Sequence, residues 1–220
     1  MEDFSAARRK MVDSQLRTEA VTDYDILAAM GSVPRERFVP EDQRAVAYID
    51  SDVPLKSGTP SRYLMEAAPF ARLLQLAEID TDDRILDVGC GTGYSLAVLA
   101  ALGGFVVGLE SDAELAAAAK ANLAALGIGN AKVVSGALDA GYPVDGPYDV
   151  IFLEGAVEVL PAGLFEQLRE GGRLVAVVGY GRAAMATVYA KSEGHLGQRA
   201  AFNTDVRPLP GFRKPEVFVF

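Results

Sequence analysis

From residue 84 onward, short apolar runs alternate with segments of helical composition, and this alternation constrains the fold more than any other feature. The apolar runs are RILDVG (84–89), FVVGLE (105–110), AKVVSG (131–136), YDVIFLE (148–154) and RLVAVVG (173–179). The helical segments cover residues 94–102, 113–125 and 160–170. Parallel strands need such crossovers, and their burial on both faces makes them continuously apolar. The pattern predicts a doubly wound, mostly parallel Rossmann-like sheet of the α/β class.

The two flanks of this region are expected to differ from it. After residue 180 the helical segments stop, and residues 184–191, 198–204 and 216–220 should add antiparallel strands to one sheet edge. Residues 1–80 look helical, with prolines interrupting the helices. We therefore expect a helical N-terminal extension over residues 1–80, which covers the ligand-binding edge of a sheet domain over residues 81–220.

Charge and composition argue against several classes of partner. The net charge of −9, from 30 acidic and 21 basic residues, is unfavourable for binding nucleic acid. No apolar run reaches the ~18 residues of a membrane helix, and the N-terminus lacks the order of a secretory signal. The single cysteine, Cys90, suits a reducing compartment. We expect a cytoplasmic protein without nucleic-acid or membrane partners; the oligomeric state is open.

The segment ILDVGCGTGYSLAVL carries the clearest ligand-binding pattern. Gly89, Gly91 and Gly93 let a ligand approach the main chain, and their G-x-G-x-G spacing differs from the dinucleotide pattern G-x-G-x-x-G. Asp87 lies two residues before the first glycine. Glu110 ends the second strand, where a carboxylate can bind both hydroxyls of a ribose. A glycine turn without a ligand and an NAD site are the alternatives.

Together these features resemble the S-adenosylmethionine (SAM) site of class I methyltransferases. The resemblance implies that the backbone of residues 89–93 lies along the methionine part of SAM and that Glu110 binds its ribose. The cofactor site implied in this way comprises Asp87, Gly89, Cys90, Gly91, Gly93, Tyr94, Glu110, Ser111, Ala137 and Leu138.

Two residues that often carry chemistry are assigned no catalytic role. Cys90 has no second cysteine to resolve an oxidised thiol, so we interpret it as a small side chain in a tight turn. His195 lies in SEGHLG, a predicted hairpin turn, and is expected to be exposed and inert. No metal site is predicted.

The N-terminal half narrows the family. Residues 33–40 read V-P-R-x-x-F-V-P, and Ala47-Tyr48-Ile49-Asp50 follows. Downstream, GYPVDGPYDVIF and LPAGLFEQLREGGRLVAVVG keep a familiar order. From about residue 10 to 180 the chain resembles protein-L-isoaspartate O-methyltransferases. The resemblance implies methyl transfer from SAM to the α-carboxylate of isoaspartyl residues in peptides or proteins. Because a carboxylate is already anionic, positioning rather than a strong base would supply the catalysis.

The first departure from that family concerns a hydroxyl group on the acceptor side. Relatives carry G-Q-T-I-S-Q-P, whose serine is taken to act at the active site. An ungapped alignment places T-I-S on Tyr63-Leu64-Met65 and removes the hydroxyl, whereas a gapped alignment places it on Thr59-Pro60-Ser61. We favour the ungapped register, and Ser61 is the catalytic candidate of the other. Thr59 before Pro60 is also expected to cap a helix, with a break near Pro69.

Two further departures lie at strand ends. Gly136-Ala137-Leu138 replaces the family's G-D-G, whose Asp contacts adenine, so backbone N–H groups or a shifted Asp139 would have to serve. Glu154 stands where relatives have small or hydroxyl residues. It would repel a substrate carboxylate unless Arg62 or Arg182 offsets its charge.

Glu154 therefore keeps three functional hypotheses open. The first is carboxyl methylation of isoaspartyl residues. The second is methylation of a different, small acceptor with Glu154 as general base for a hydroxyl or amine. The third is a SAM-binding protein that has lost methyl transfer. A helix-capping or solvated loop carboxylate is the non-functional interpretation of Glu154.

Overall fold

The computed structural model describes residues 4–56 and 61–214. The N-terminal extension begins with α1 (Ser5–Met11), which continues through a π-helical turn at Val12–Leu16, and α2 (Tyr24–Ser32). The Asp23 side chain caps α2 by accepting hydrogen bonds from two backbone N–H groups of its first turn. Short 3₁₀ turns follow the two prolines of the V-P-R-x-x-F-V-P element, at Arg35–Phe38 and Glu41–Val46.

The extension is not wholly helical, which corrects the expectation. β1 (Val53–Lys56) and β2 (Arg62–Leu64) form an antiparallel pair. Side chains alternate between the core and the solvent along β1, as expected for a strand with one buried face. Thr59 and Pro60 lie outside the described residues, and the next helix, α3 (Ala67–Ala77), begins only after Glu66. Pro69 lies in the first turn of α3, where its missing N–H removes no helical hydrogen bond, so α3 continues through it.

The sheet domain confirms the predicted fold class. Its elements are β3 (Arg84–Val88), α4 (Tyr94–Leu102), β4 (Phe105–Glu110), α5 (Ala113–Ala125), β5 (Ala131–Ser135), β6 (Tyr148–Val157), α6 (Ala162–Glu166), β7 (Leu168–Val178), β8 (Met185–Ser192) and β9 (His195–Asn203). The strand order is β5-β4-β3-β6-β7-β8-β9. The first five strands in this order are parallel, and β8 and β9 add antiparallel pairings at one edge. The predicted strand at 216–220 lies outside the described residues.

One predicted helix is shorter than expected. The helix expected over residues 160–170 is α6, which ends at Glu166, and β7 begins at Leu168. The residues opposite Tyr148 and Val150 of β6 are Leu168 and Arg173, so β7 bulges between them. A Cβ on Gly172 would come within 2.9 Å of the Tyr148 carbonyl oxygen. Gly171-Gly172, which from the sequence alone is expected to mark the end of that helix, therefore serves a strand bulge instead.

The extension and the sheet share one core. The Phe70 ring of α3 packs edge-on against Phe152 of β6, with centroids 5.8 Å apart. Phe38 of the extension packs against Tyr94 at the start of α4, with centroids 5.6 Å apart. This packing places the extension beside the C-terminal end of β3, where the strand order reverses between β3 and β6. Open α/β sheets bind ligands at such a point. Among the described residues, no helix is long and apolar enough to cross a membrane.

Candidate functional site

The glycine turn after β3 has a backbone that other residues would strain. Gly89, Gly91 and Gly93 have φ angles of 86°, 56° and 93°. A Cβ on Gly91 would lie 2.9 Å from Leu55, and one on Gly93 would lie 3.2 Å from the Cβ of Ala119 on α5. The turn therefore needs glycine both for its torsions and for space, because neighbouring side chains pack directly against its buried main chain.

Glu110 is the fixed carboxylate of the site. It ends β4 beside Gly89, because the parallel register pairs Val88 with Leu109, and it is fully buried. Its Oε1 accepts hydrogen bonds from the backbone N–H groups of Ser111 and Asp112 at 2.8 and 2.9 Å, and its Oε2 accepts one from Gly91 at 2.8 Å. Backbone donors therefore hold both oxygens in place at the strand end, where the sequence predicts ribose binding.

Arg62 of β2 reaches into the same site. Its Nη1 and Nη2 lie 2.5 and 2.8 Å from the two carboxylate oxygens of Glu110, and Nη2 also donates to the Gly89 carbonyl oxygen at 2.9 Å. The guanidinium group is almost fully buried, since 6% of the Arg62 side chain is exposed. Sequence reasoning named Arg62 only as a neighbour for Glu154, because it interpreted this segment as the start of a helix.

Asp87 lies beneath the turn and is fully buried. Its Oδ2 accepts a hydrogen bond of 2.5 Å from Ser95 Oγ on α4. Its Oδ1 is buried and has no hydrogen-bond partner within residues 4–56 and 61–214. Burial raises the pKa of Asp87 to about 7; the Ser95 hydrogen bond opposes this shift, and the Glu110 charge adds to it. The carboxyl group is therefore poised between its two charge states near neutrality.

Glu154 faces Gly89 from the opposite side. The register pairs Val88 with Leu153, which places Glu154 next to Gly89 on β6. The interpretation as a helix cap is wrong, because Glu154 lies inside a strand. Its Oε1 is buried and makes no hydrogen bond to the described part of the chain. Burial, followed by repulsion from Asp87, raises the pKa of Glu154 well above its usual range, although Arg62 opposes the shift.

The remaining predicted cofactor residues take different positions. The Tyr94 ring is buried against Phe38, and the guanidinium group of Arg35 lies 4.9 Å from its centroid, so this side chain serves the core. Gly136 N–H donates to the Glu110 carbonyl oxygen at 3.2 Å. This bond brings the turn after β5 next to the site. Ala137 and Ser111 are exposed there, and Leu138 is buried. Their contacts with a cofactor stay predictions.

Other candidates lie in or away from the cleft. Cys90 is buried, and burial with the nearby Asp87 charge raises the pKa of its thiol, so it is not a thiolate nucleophile. His195 is exposed at the start of β9, as predicted. Arg182 is exposed on the turn after β7. No group of three metal-ligating side chains occurs among the described residues.

The two alternatives for the acceptor-side hydroxyl lie on either side of Arg62. Ser61 is exposed and directly precedes β2. Met65 is 5% exposed, and its carbonyl oxygen accepts a hydrogen bond of 2.6 Å from the buried Arg35. In the ungapped register, a core thioether therefore replaces the hydroxyl of the relatives.

The C-terminal segment covers one side of the cleft, which the sequence analysis missed. Leu209 N–H donates to the Ala156 carbonyl oxygen at 2.8 Å, and Leu209 Cδ1 would lie 2.5 Å from a Cβ on Gly89. Arg207 lies 3.2 Å from the Asp52 carboxylate and stacks over the Tyr63 ring. These contacts join the C-terminal segment to the β1–β2 hairpin. The one sequence signal for this contact is Gly155. A Cβ at this position would lie 2.8 Å from the Arg207 carbonyl oxygen, so only glycine lets the C-terminal segment approach so closely.

A doubly wound sheet of this order, with a glycine turn after β3 and a buried carboxylate ending β4, defines the class I SAM-dependent methyltransferase fold. The family model described as "Protein-L-isoaspartate(D-aspartate) O-methyltransferase (PCMT)" matches residues 6–210. The chain belongs to this family, which confirms the resemblance seen in the sequence.

Individual relatives agree. A protein-L-isoaspartate O-methyltransferase of Koribacter versatilis (strain Ellin345) is 38% identical over 94% of this chain and 92% of its own. Protein-L-isoaspartate O-methyltransferase 1 of Rhodopseudomonas palustris (strain HaA2) is 38% identical to this chain, over 94% of this chain and 83% of its own length.

Two solved structures share the fold. One, described as a protein-L-isoaspartate O-methyltransferase, has a TM-score of 0.82 at 29% identity. It covers 93% of this chain, which spans just under two thirds (66%) of that one. A Plasmodium falciparum structure in complex with S-adenosyl-L-homocysteine has a TM-score of 0.75 at 21% identity and covers 92% of this chain and 97% of its own.

Proposed function

We propose that this protein is a SAM-dependent methyltransferase that methylates the carboxylate of isoaspartyl residues. The observation that carries the cofactor assignment is the Glu110 carboxylate, which backbone N–H groups hold beside the glycine turn. Family membership supports the acceptor. In this proposal residues 1–80 cover the site, and the compartment is the cytoplasm, which a buried, unpaired cysteine suits.

The residues present fit the cofactor. Glu110 would accept hydrogen bonds from the ribose hydroxyls, and the glycine backbone of residues 89–93 would lie along the methionine part. The unpartnered Oδ1 of Asp87 adds an acceptor beneath that turn. When bound, SAM supplies a methyl group on a positively charged sulfonium, and its transfer to a carboxylate releases no proton. The protein's task is then to hold the acceptor oxygen in line.

Glu154 is compatible with a carboxylate acceptor when it is neutral. The raised pKa favours the neutral form of the carboxyl group, and in that form Glu154 does not repel an incoming carboxylate and can donate a hydrogen bond to it. The Oε1 atom of Glu154, which no described residue binds, leaves that interaction available. The repulsion expected from the sequence is thereby removed.

A second candidate function rests on the same residue. With Met65 in place of the family's hydroxyl, the cleft could instead take a small hydroxyl or amine acceptor, whose proton must be removed. A buried carboxylate with a raised pKa is a competent general base near neutral pH. The two functions therefore require opposite protonation states of Glu154.

Glu154→Gln separates the two functions, because glutamine keeps a neutral hydrogen-bond donor but cannot take a proton. Labelled SAM, an isoaspartyl peptide and a small-acceptor panel would be incubated with wild type, Glu154→Gln and Ser61→Ala. We expect wild type and Glu154→Gln to form base-labile methyl esters on the peptide. Loss of turnover by about 100-fold or more on a small acceptor in Glu154→Gln would favour the second function.

The other outcomes of this experiment are also informative. Because the ungapped register places Met65 on the family's serine, we expect Ser61→Ala to methylate the peptide at the wild-type rate. A large loss in Ser61→Ala would favour the gapped register. The third hypothesis would be supported if wild type transferred no methyl group to any acceptor while S-adenosylhomocysteine (SAH) still raised its melting temperature. The protein would then bind SAM without transferase activity.

A further inference from the structure

Arg62 occupies the carboxylate that the proposed cofactor needs. Each Glu110 oxygen accepts a hydrogen bond from the guanidinium group in addition to its backbone donors, two for Oε1 and one for Oε2. A carboxylate has about four lone-pair sites, and these five donors, joined by Ser111 Oγ at 3.4 Å from Oε1, leave none free. Two ribose hydroxyls cannot join this arrangement while Arg62 remains in place. Cofactor binding at Glu110 and the Arg62–Glu110 pair are therefore mutually exclusive.

A displaced Arg62 needs another anion. A buried ion pair that loses one partner leaves an uncompensated charge, which is strongly unfavourable, whereas exchange of one carboxylate for another is not. Planar, bidentate binding of carboxylates is the geometry that arginine favours. Arg62 also lies at the right place for such an exchange, since its Nη2 is 2.9 Å from the Gly89 carbonyl oxygen. Gly89 separates Glu110 on one side from Glu154 on the other.

The segment that carries Arg62 is a short strand with limited pairing. β2 has three residues and, among the described strands, pairs only with β1, through a register irregularity between Pro54 and Lys56. An isolated two-stranded hairpin is marginally stable without outside contacts. Its described contacts include two half-exposed ion pairs, Lys56 with Asp112 at the start of α5 and Asp52 with Arg207 of the C-terminal segment. Exposed pairs of this kind are weak, whereas Val53 and Leu64 anchor the hairpin in the core, so the shift required is one of the Arg62 side chain rather than of the strand.

We propose that Arg62 pairs with Glu110 only in the cofactor-free protein, and that cofactor binding releases it to bind the carboxylate of the methyl acceptor. The inference rests on the proposed function and makes Arg62 a residue for acceptor recognition. It also sets the order in which the two ligands bind. Arg62 becomes available to the acceptor only after the cofactor has bound Glu110. An acceptor without a carboxylate would not be held in this way.

The test compares Arg62→Gln with wild type and with Arg207→Gln, which removes a more exposed arginine that does not pair with Glu110. SAH binding is measured by calorimetry on the full chain. Removal of the competing pair should tighten SAH binding by roughly three- to tenfold, because the binding-competent state no longer has to be released first. Arg207→Gln should bind SAH as wild type does.

The second measurement is the binding of an isoaspartyl peptide to the SAH-saturated protein and to the SAH-free protein. Wild type should bind the peptide at least about tenfold more tightly with SAH present, since a charge-assisted hydrogen-bond pair is gained. Arg62→Gln should lose this enhancement. A role of Arg62 that is only structural would weaken both ligands together. If Arg62→Gln fails to fold, Arg62→Lys should shift both affinities in the same directions by less.

The outcomes distinguish this inference from the proposed function. No SAH binding by wild type would remove the proposed function itself. SAH binding by wild type that weakens about tenfold in Arg62→Gln would overturn the inference alone, because Arg62 would then belong to the cofactor site. Peptide affinity that SAH does not change in wild type would overturn the acceptor role of Arg62.

Discussion

The two sides of the cleft treat a buried carboxylate in opposite ways. On the cofactor side, Glu110 accepts hydrogen bonds at both oxygens, from backbone N–H groups, from the Ser111 hydroxyl and from Arg62. On the acceptor side, Glu154 keeps an oxygen atom that no described residue binds, and its pKa is raised by burial. The difference indicates one surface preorganised for a constant ligand and one that its ligand has to complete.

Glu110→Gln is expected to have the largest effect, because it changes the preorganised side. The amide cannot accept at both positions, so SAH affinity should fall by about 100-fold or more, at 1.5–3 kcal/mol per lost hydrogen bond to a charged group. The buried Arg62 also loses its partner, which should destabilise the protein by roughly 3–5 kcal/mol. Calorimetry with SAH and urea denaturation measure the two effects.

Glu114→Gln is the matched control for that experiment. Glu114 is an exposed carboxylate of α5 that pairs with Lys56, so its loss should change the free energy of unfolding by less than about 1 kcal/mol. An SAH affinity for Glu110→Gln within threefold of wild type would remove Glu110 from the cofactor site, and the contrast between the two sides would lose its basis.

Gly89→Ala tests the residue that separates the two carboxylates. The φ angle of 86° costs a non-glycine residue about 1–2 kcal/mol, and the new Cβ would lie 2.5 Å from Leu209 Cδ1. We expect a destabilisation of about 1–3 kcal/mol in urea denaturation, because overpacking displaces the C-terminal segment. Gly163→Ala in α6 is the control, since its Cβ would meet no atom within 4 Å and should be neutral or slightly stabilising. Equal effects of the two substitutions would contradict the close packing at Gly89.

The smallest expected effect is a change in how stability depends on pH. The pKa of Asp87 is about 7 in the folded protein and ~3.9 in the unfolded chain, so the folded state holds the extra proton between these values. The free energy of unfolding should therefore fall as pH rises from about 4 to 7. Asp87→Asn keeps the acceptor for Ser95 and should reduce this slope in urea denaturation at pH 5 and pH 8.

A residual slope is expected in that variant. Burial, then a hydrogen bond with Asp50, also raises the pKa of Glu66 to about 7, and Glu66 shifts stability in the same direction. An unchanged slope in Asp87→Asn would mean that Asp87 stays charged throughout this range, which would contradict its raised pKa.

The sheet domain could be predicted because its signals are local. The helix at Ala113–Ala125, the strand at Phe105–Glu110 and the helix at Tyr94–Leu102 have the predicted bounds. Each follows from apolar periodicity or a capping side chain within a few residues. Gly171-Gly172 misled the prediction, because glycine marks a strand bulge as readily as a helix end, and only pairing with β6 distinguishes them.

The site divides in the same way. The amino-acid sequence by itself determined the glycine turn, the carboxylate that ends β4 and the family, because these depend on residue type and spacing along contiguous stretches. The tertiary structure alone brought Arg62 to Glu110 across 48 residues, closed Leu209 over Gly89, and left the buried Oε1 of Glu154 without a partner in the described part of the chain. Pairing, cover and desolvation depend on which distant segments meet, and those contacts set the charge of each carboxyl group.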